Sequence, residues 1–355
     1  MQSILVSKRF NPGHISHIEA NAKLLEDNGF DVRFCVHKNF LFFPGCTMKG
    51  KESGLFNWLA LRKGDLFVVW FPSISVVFHL LLLRLLTKAT AVYVYHEPYT
   101  SFSSYRSAGF SWLKTVRVTA ISLVSRSICA LSHKIILPSA RAFDAIQKAK
   151  LEPNRYAKIN LMFADEAEFQ AQGPAREFVS YIGTIAEDHA FDEFVRLMQV
   201  CITDQMLSPL KFLIATRSQV PERHQQTIEQ CIATGRLVVQ SGSPMTNKQI
   251  NRFYAQSFVV WNAYKRSMQS GVLPKAYMFG TPVLASTCSQ SEYFQDGVHG
   301  VLISDRYAVD EFQQAITRLQ AEWPVTSQNC RSHYLQNFDY RALSSTFMNF
   351  VSDKK

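Results

Sequence analysis

The residues best placed for chemistry in the first half of the chain are His96 and Glu97. They directly follow the apolar run Ala91–Tyr95, which predicts a buried strand. An imidazole at a strand end can donate a hydrogen bond to a hydroxyl near neutral pH, and a neighbouring carboxylate can act as a general base. The competing interpretation is a histidine whose nitrogens are satisfied by backbone groups.

A second candidate lies at the small-residue turn Ser270-Gly271, which is followed by Val272 and opens a predicted helix that ends at Gly280. A helix N-terminus has free backbone N–H groups and the positive end of the helix dipole, so it can hold a diphosphate. An ordinary strand–helix–strand unit explains the same pattern equally well.

The first loop of the chain contains Gly13 and His14. Glycine allows close backbone approach, so the following amides could hold a phosphate of a donor or an acceptor. His14 and His17 are spaced like a metal-ligand pair, but no third ligand is apparent, and we expect no metal. The loop also lacks the G-x-G-x-x-G pattern of dinucleotide-dependent dehydrogenases.

These candidates must be positioned by alternating strands and helices. The opening reads as a strand at Ser3–Ser7, a helix from Ile15 to Asn28 and a strand at Asp31–Val36, which is a βαβ unit of a parallel sheet. We predict an α/β chain with two Rossmann-like domains, residues 1–165 and 178–335, and a cleft between them. Residues 166–177 are the expected linker, and the helix in 336–355 is expected to cross back to the first domain. Ligands of such sheets bind beyond the carboxyl ends of the strands.

The charge of the chain is uneven. Residues 1–165 contain 21 Lys and Arg against 10 Asp and Glu, whereas residues 166–355 contain 17 against 18. A basic first half predicts an anionic partner, although an incidental surface bias is the alternative. The predicted helix Ser111–Ser132 carries basic residues and has aromatic residues at one end. This pattern favours an anionic lipid surface over nucleic acid, and a core helix with a solvated basic face is the other interpretation.

Other features of the sequence favour a peripheral, cytoplasmic protein. The most apolar stretch, Ile74–Leu86, contains His79 and Arg84 and is shorter than the roughly 20 residues that span a bilayer. The N-terminus has no signal-peptide pattern. The seven cysteines are scattered without a C-x-x-C pair, which argues against a disulfide framework and structural zinc.

The segment from Ser267 to Ile303 resembles the C-terminal signature of GT-B glycosyltransferases related to family 4. The matching residues include Gly280-Thr-Pro-Val283, Glu292, Asp296-Gly297 and Gly300. The resemblance extends over nearly the whole chain, through the loop at Gly13, the strand end at His96, Tyr181–Ile185 and Ser241–Ser243. It implies a metal-independent hexosyltransferase that retains configuration, uses a nucleotide-diphosphate sugar and needs no cofactor.

The resemblance also assigns roles to individual residues. It places His96 near the reacting carbon of the donor sugar. Donor-binding residues are expected in the loop at Gly13 and His14, at Gly183 and Thr184, and in the turn from Ser270 to Val272. The loop with Ser243 and Met245 is expected to read the nucleobase through backbone groups, which leaves the base unidentified.

Four positions depart from the family pattern. The two glutamates of the motif fall on Ser267 and Lys275, the diphosphate-binding arginine falls on Thr184, and the following lysine falls on His189. Lys275 and His189 could meet a diphosphate or a sugar carboxylate instead. Arg217, which follows the strand Phe212–Thr216, is a further candidate cation, with a solvated loop residue as the alternative.

The sequence thus predicts a glycosyltransferase at the inner face of the cell membrane. It would move a sugar from a nucleotide-diphosphate donor to a lipid-linked or polysaccharide acceptor in bacterial surface glycan assembly. Two alternatives remain open at this point. One is a GT-B-like sugar-nucleotide epimerase. The other is an inactive GT-B scaffold that binds a partner glycosyltransferase, which the four altered positions support.

Overall fold

The computed structural model of the protein describes residues 1–43, 45–96, 102–107, 110–148, 152–167, 176–207, 209–266, 270–289 and 291–352. The chain forms two compact units. The first domain comprises residues 1–164 and 337–355, and the second domain comprises residues 165–336. Glu97 and Ser267 lie outside the described residues.

The first domain is a parallel sheet with helices on both faces. Its strands are β1 (Gln2–Ser7), β2 (Asp31–Val36), β3 (Leu66–Val69), β4 (Thr90–Val94), β5 (Lys134–Leu137) and β6 (Tyr156–Lys158), in the order β2-β1-β3-β4-β5-β6. Its helices are α1 (Ile15–Asp27), α2 (Lys38–Leu41), α3 (Ile74–Leu86), α4 (Phe102–Ser107), α5 (Trp112–Leu131), α6 (Ala140–Lys148) and α12 (Tyr340–Val351). A 3-10 helix spans Leu55–Ala60.

Alternation along the strands divides the first domain into two cores. Successive side chains of a strand point to opposite faces of the sheet. Leu5 of β1 packs in a core with α1 and α12, whereas its neighbours Ile4 and Val6 pack on the other face with α3, α5 and the 3-10 helix. Gly29 ends α1 at φ 83°, a conformation that penalises other residues, as the sequence predicts.

The C-terminal helix belongs to the first domain, which confirms the predicted crossing back. The Tyr340 hydroxyl donates to Oδ2 of Asp27 at 2.8 Å, and the Phe163 amide donates to the Phe338 carbonyl at 2.9 Å. Phe347 and Val351 are buried in the core that α1 covers. The end of the chain is therefore part of the first domain's packing.

The second domain repeats this architecture. Its strands are β7 (Phe178–Ile182), β8 (Lys211–Ala215), β9 (Leu237–Gln240), β10 (Ser257–Asn262), β11 (Val283–Ser286) and β12 (Gly300–Ile303), in the order β12-β11-β10-β7-β8-β9, and every pair is parallel. Its helices are α7 (Phe191–Thr203), α8 (Glu222–Ala233), α9 (Asn247–Gln256), α10 (Val272–Met278) and α11 (Val309–Asn337). The predicted alternation of strands and helices is confirmed in both domains. Strand β6 and the length of α11 were not predicted from the sequence.

Among the residues that the structure describes, no helix is both long enough and apolar enough to cross a membrane.

Candidate functional site

Three aromatic side chains meet at the carboxyl edge of the first domain's sheet. His14 lies in the loop between β1 and α1, Trp70 directly follows β3, and His96 lies two residues beyond β4. The rings of His14 and His96 are 4.6 Å apart, and those of Trp70 and His96 are 5.3 Å apart. The structure therefore brings together two residues that the sequence singles out, His14 and His96, and adds Trp70.

Each of these side chains holds a buried nitrogen that makes no hydrogen bond within the described part of the chain. The atoms are Nδ1 of His14, Nε1 of Trp70 and Nε2 of His96. A buried polar atom without a partner costs free energy, typically about 1–3 kcal/mol, so such atoms are uncommon unless a ligand completes them. Three of them at one edge of a parallel sheet indicate a binding site for a polar group.

Burial keeps both imidazoles neutral. Desolvation, followed by the charge of His17, lowers the pKa of His96 to about 3. Desolvation and the neighbouring His96 also place the pKa of His14 well below its usual value. Neutral imidazoles and an indole N–H can exchange hydrogen bonds with hydroxyls, but they offer no positive charge to a phosphate. This part of the site suits an uncharged, hydroxyl-rich group such as a sugar ring.

The other first-loop residues have separate roles. Gly13 is exposed, and its amide donates to Oδ1 of Asn11 at 3.1 Å. His17 is buried on α1, and its Nδ1 lies 3.0 Å from the Met162 carbonyl. No cluster of three His, Cys, Asp or Glu side chains with the geometry of a metal site occurs in the described ranges.

In the second domain, Gly183 and Thr184 form the bend that follows β7. Gly183 has φ 138°, a conformation that residues with a Cβ rarely adopt, and a Cβ built there would lie 3.6 Å from Val272. This glycine lets the loop pass close to the start of α10. The predicted positions Gly183, Thr184 and Val272 therefore lie near one another.

His189 is held against the same bend. Its Nδ1 lies 2.6 Å from the Thr184 carbonyl oxygen, which can only accept, so Nδ1 carries a proton. The ring stacks on Tyr264 with centroids 4.7 Å apart, and Nε2 lies 3.9 Å from a carboxylate oxygen of Asp188. Asp188 also binds Arg266 at 2.7 Å. His189 thus lies beside the ion pair of Asp188 and Arg266 near the end of β10.

Ser218 joins the loops that follow β7, β8 and β9. Its hydroxyl accepts from the Ile185 amide at 3.1 Å, and its carbonyl accepts from the Gly242 amide at 3.1 Å. Arg217 precedes it and is exposed. These bonds fix the edge at which Arg217 and the bend at Gly183 lie.

The loop after β9 contains the predicted nucleobase-reading residues. Ser243 is exposed, whereas Met245 is buried beside the N-cap of α9. That cap is a capping box in which the Thr246 hydroxyl and the Gln249 side chain satisfy each other's backbone amides. The loop is therefore anchored at its end, while its backbone near Ser243 stays accessible.

Helix α10 begins as predicted after Ser270 and Gly271. The Ser270 hydroxyl accepts from the Val272 amide at 3.1 Å and lies 3.3 Å from the Tyr264 hydroxyl. Lys275 is buried on this helix, and its Nζ lies 2.8 Å from Oε1 of Glu166. The other oxygen of Glu166 accepts from Asn251 at 2.7 Å. The Lys275 ammonium thus has a carboxylate partner inside the second domain, whereas its predicted contact with a donor anion stays a prediction.

Sequence reasoning missed four residues that shape these sites, namely Trp70, Glu166, Ser218 and Tyr264. Trp70 could have been found as the residue that ends the run Leu66–Trp70, because strand ends at this edge carry ligands. Glu166 lies in the segment that the sequence assigns to a linker, and nothing in the local pattern indicates its pairing with Lys275.

Comparison with solved structures identifies the fold. The HepE protein of Anabaena, solved in complex with UDP-glucose, matches with a TM-score of 0.68 at 11% identity, over 99% of this chain and 100% of the other. Sucrose-phosphate synthase from Thermosynechococcus elongatus matches with a TM-score of 0.68 at 13% identity, over 98% and 97%. The chain has the GT-B fold. The resemblance inferred from the sequence is confirmed at this level.

The amino-acid sequence of the second domain also resembles a known family. Residues 176–322 match the family model for Glycosyl transferases group 1. The pneumococcal O-GlcNAc transferase GtfA, solved with UDP and GlcNAc, is a further GT-B match, with a TM-score of 0.57 at 16% identity over 83% of this chain and 58% of that one. No curated protein sequence matches the chain. The GT-B fold and the group 1 match thus agree on a glycosyltransferase architecture.

Proposed function

We propose that the protein is a glycosyltransferase that transfers a hexose from a nucleotide-diphosphate sugar to a lipid-linked or polysaccharide acceptor in bacterial surface glycan assembly. The observation that carries the proposal is the set of three buried nitrogens on His14, Trp70 and His96 that make no hydrogen bond to any described residue, in a chain whose second domain matches the group 1 model. A sugar hydroxyl supplies the partners that these atoms lack. UDP-sugars are the first donors to test, because HepE and GtfA were solved with UDP compounds.

The neutral state of His96 limits its role in the reaction. A pKa near 3 leaves the imidazole uncharged at neutral pH, so it can orient a sugar hydroxyl or share a hydrogen bond with it. The charge that develops on the leaving diphosphate needs other groups. The backbone amides at Gly183 and Thr184, the ring N–H of His189 and the guanidinium of Arg217 are our candidates. We propose a metal-independent reaction that retains configuration.

A panel of nucleotide sugars tests this proposal. Isothermal calorimetry measures which donor binds, and product analysis with a lipid-linked acceptor measures transfer and the anomeric configuration. We expect one nucleotide class to bind clearly more tightly than the others. Absence of binding to every UDP-, GDP- and ADP-sugar would contradict the proposal.

The inactive-scaffold alternative is favoured by one specific observation. Lys275 replaces a glutamate of the family motif, and its charge is already matched by Glu166. A scaffold would bind no donor and would show no transfer with any acceptor, while still forming a complex with a partner glycosyltransferase. Donor binding with transfer therefore rejects the scaffold. Conversion of the donor sugar without an acceptor would identify an epimerase instead.

A further inference from the structure

The outer face of α3 is apolar. Ile74, Phe78, Leu81 and Leu85 follow one another at helical spacing and are exposed, with Ile74 78% and Leu85 71% accessible. The opposite face of the same helix carries Val76, His79, Leu80 and Leu83, which are buried against the sheet. Helix α3 is therefore apolar on both sides, although only one side packs against other residues that the structure describes.

Helix α5 departs from the usual amphipathic arrangement. Its buried residues are Ile128 and Cys129 near its end and the small polar residues Thr115, Ser122 and Ser125, and the hydroxyls of Thr115 and Ser125 donate to carbonyls of the preceding turn. Its exposed face contains Trp112 and Leu113, which are 61% and 75% accessible, together with Val116 and Leu123. A surface helix in water normally turns its polar residues outward.

The two helices and the 3-10 helix Leu55–Ala60 form one continuous layer. All three pack on the same face of the first sheet. The guanidinium of Arg84 on α3 donates to the carbonyls of Ala130 and Leu131 at the end of α5. Trp58 of the 3-10 helix donates to Nδ1 of His79 on α3 at 3.1 Å, while its neighbours Phe56 and Leu59 are exposed. We call the outer surface of these three elements the apolar platform.

The charge of the apolar platform has a single sign. The three elements contain no Asp or Glu, and they carry Arg84, Lys114, Arg117 and Arg126. The opposite layer of the domain differs, because the exposed residues of α1 and α12 other than Ala342 are polar and include Glu26 and Asp27 beside Lys23 and Arg341. Large contiguous apolar patches are rare on water-exposed surfaces and mark interaction sites. An apolar surface with only positive charges is complementary to an anionic lipid headgroup layer.

We propose that the apolar platform lies flat on an anionic bilayer and inserts its exposed apolar side chains into the boundary between headgroups and acyl chains. This inference rests on the proposed function only in that a lipid-linked acceptor gives the docking a purpose. An interfacial helix buries its apolar face to a depth of about 5–10 Å, which is the reach of side chains such as Phe78 and Trp112. The basic residues then lie at the level of the phosphates. Docking should therefore combine a salt-sensitive charge contribution with a salt-resistant apolar one.

Vesicle binding without any nucleotide sugar tests the platform. We expect the protein to cosediment with vesicles of phosphatidylcholine and phosphatidylglycerol, more strongly than with phosphatidylcholine alone. The triple variant Lys114→Gln/Arg117→Gln/Arg126→Gln should reduce partitioning at least roughly tenfold, because each basic residue near an anionic leaflet contributes. The variant Ile74→Ser/Phe78→Ser/Leu85→Ser should reduce it by a similar factor or more and should remove the binding that persists in high salt.

Matched controls come from the second domain. Lys248→Gln/Arg252→Gln removes exposed charges from α9, and Ile232→Ser/Val325→Ser removes exposed apolar side chains from α8 and α11. Both controls should bind vesicles like the parent protein. If the controls lost as much vesicle binding as the platform variants, the inference would be overturned. Thermal unfolding of every variant checks that the exposed substitutions leave the fold intact.

Trp112 gives a direct readout of insertion. The fluorescence difference between the parent protein and Trp112→Phe isolates its emission, which should shift to the blue on binding and be quenched by lipids with brominated acyl chains. Unquenched Trp112 on bound protein would overturn the proposed orientation. A dimer in analytical ultracentrifugation that the apolar variant dissociates would assign the surface to a second copy of the chain. Vesicle binding without glycosyl transfer would reject only the proposed function, and transfer without vesicle binding would reject only the platform.

Discussion

The ammonium of Lys275 lies 2.8 Å from a carboxylate oxygen of Glu166, at the point where the second domain begins. The Lys275 side chain is 8% exposed and that of Glu166 is 25% exposed, so the pair is largely withdrawn from water. The adjacent Asp165 makes a two-oxygen contact with Arg331 of α11. Two consecutive acidic residues thus attach the start of the domain to cations on α10 and α11.

This pair should stabilise the second domain. Glu166→Gln leaves a buried ammonium without its counter-charge, and we expect the free energy of unfolding to fall by about 1–3 kcal/mol, less than for a fully buried pair because Glu166 is partly solvated. Lys275→Glu should lower the free energy of unfolding further, since it places two carboxylates next to each other. The exchange Lys275→Glu/Glu166→Lys should recover part of the loss. Denaturant unfolding measures the stability of all three variants. A charge-exchanged variant that is no more stable than Lys275→Glu alone would contradict the pairing.

The same variants test whether Lys275 also contacts the donor. If its ammonium reaches a donor phosphate or a sugar carboxylate, Lys275→Ala should weaken donor binding by roughly 1.5–3 kcal/mol, and Lys275→Glu by more. Glu166→Gln, which keeps the ammonium, serves as the control and should bind the donor nearly as well as the parent. Calorimetric titration with the donor gives these values. Donor binding by Lys275→Glu at the parent's level would show that Lys275 has only a structural role.

His96 should affect turnover more than donor affinity. His96→Ala removes the neutral imidazole that orients a sugar hydroxyl, so we expect kcat to fall by roughly tenfold, as for loss of one hydrogen bond of about 0.5–1.5 kcal/mol, with donor affinity nearly retained. Trp70→Phe removes an N–H that makes no hydrogen bond among the described residues, so any loss in sugar binding beyond a small packing effect reports a contact with the ligand. Steady-state kinetics with calorimetry separates these effects. Unchanged kcat in His96→Ala would place this histidine outside the reaction.

Gly183 should be sensitive because of its backbone conformation. At φ 138° a side chain is strained whatever the available space, and the bend lies beside Val272 at the start of α10. Gly183→Ala should lower stability by about 1–3 kcal/mol and also weaken donor binding. Gly29→Ala is the matched control, since Gly29 also has positive φ but open space around it and ends α1 in the first domain. We expect the control to lose stability while keeping its donor affinity. Equal donor affinity in both variants would show that Gly183 does not contribute to donor binding.

Much of this architecture could be predicted from the sequence because local patterns determine it. The runs Asp31–Val36 and Phe178–Ile182 read directly as strands, and their alternation with helices indicates parallel sheets. Strand β6 is short and only partly buried, so its residues show no apolar run. The end of a predicted strand also marks His96 as a candidate site residue, whereas Gly183 is a candidate only through the family resemblance.

The pairing of side chains could not be predicted, because it depends on contacts distant in sequence. Glu166 and Lys275 are more than a hundred residues apart, and only the folded domain brings their charges together. Likewise, no motif indicates that the buried Trp70 nitrogen makes no hydrogen bond within the described part of the chain. The exposed apolar residues of α5 can be recognised only once its buried face is known.

The second domain should lose stability in mild acid through its paired histidines. The rings of His299 and His333 lie 4.4 Å apart, and Nδ1 of His299 accepts from the Gln295 amide at 3.2 Å. Desolvation, together with the charge of His333, lowers the pKa of His299 to about 4, and desolvation also lowers the pKa of His333. Below the ordinary histidine pKa of about 6.5, the unfolded chain therefore takes up protons that the folded chain does not, so the free energy of unfolding falls as the pH falls towards about 4. We expect proton uptake by His299 to lower the free energy of unfolding by about 1–2 kcal/mol between about pH 7 and pH 5, after allowance for partial solvation.

Urea unfolding followed by tryptophan fluorescence measures this loss of stability. The variant His299→Gln, which cannot gain the charge, should show a shallower pH dependence while losing some stability at neutral pH. If His299→Gln and the parent lost stability equally between these pH values, the proton uptake would have to be assigned to other groups, such as His14 and His96 of the first domain.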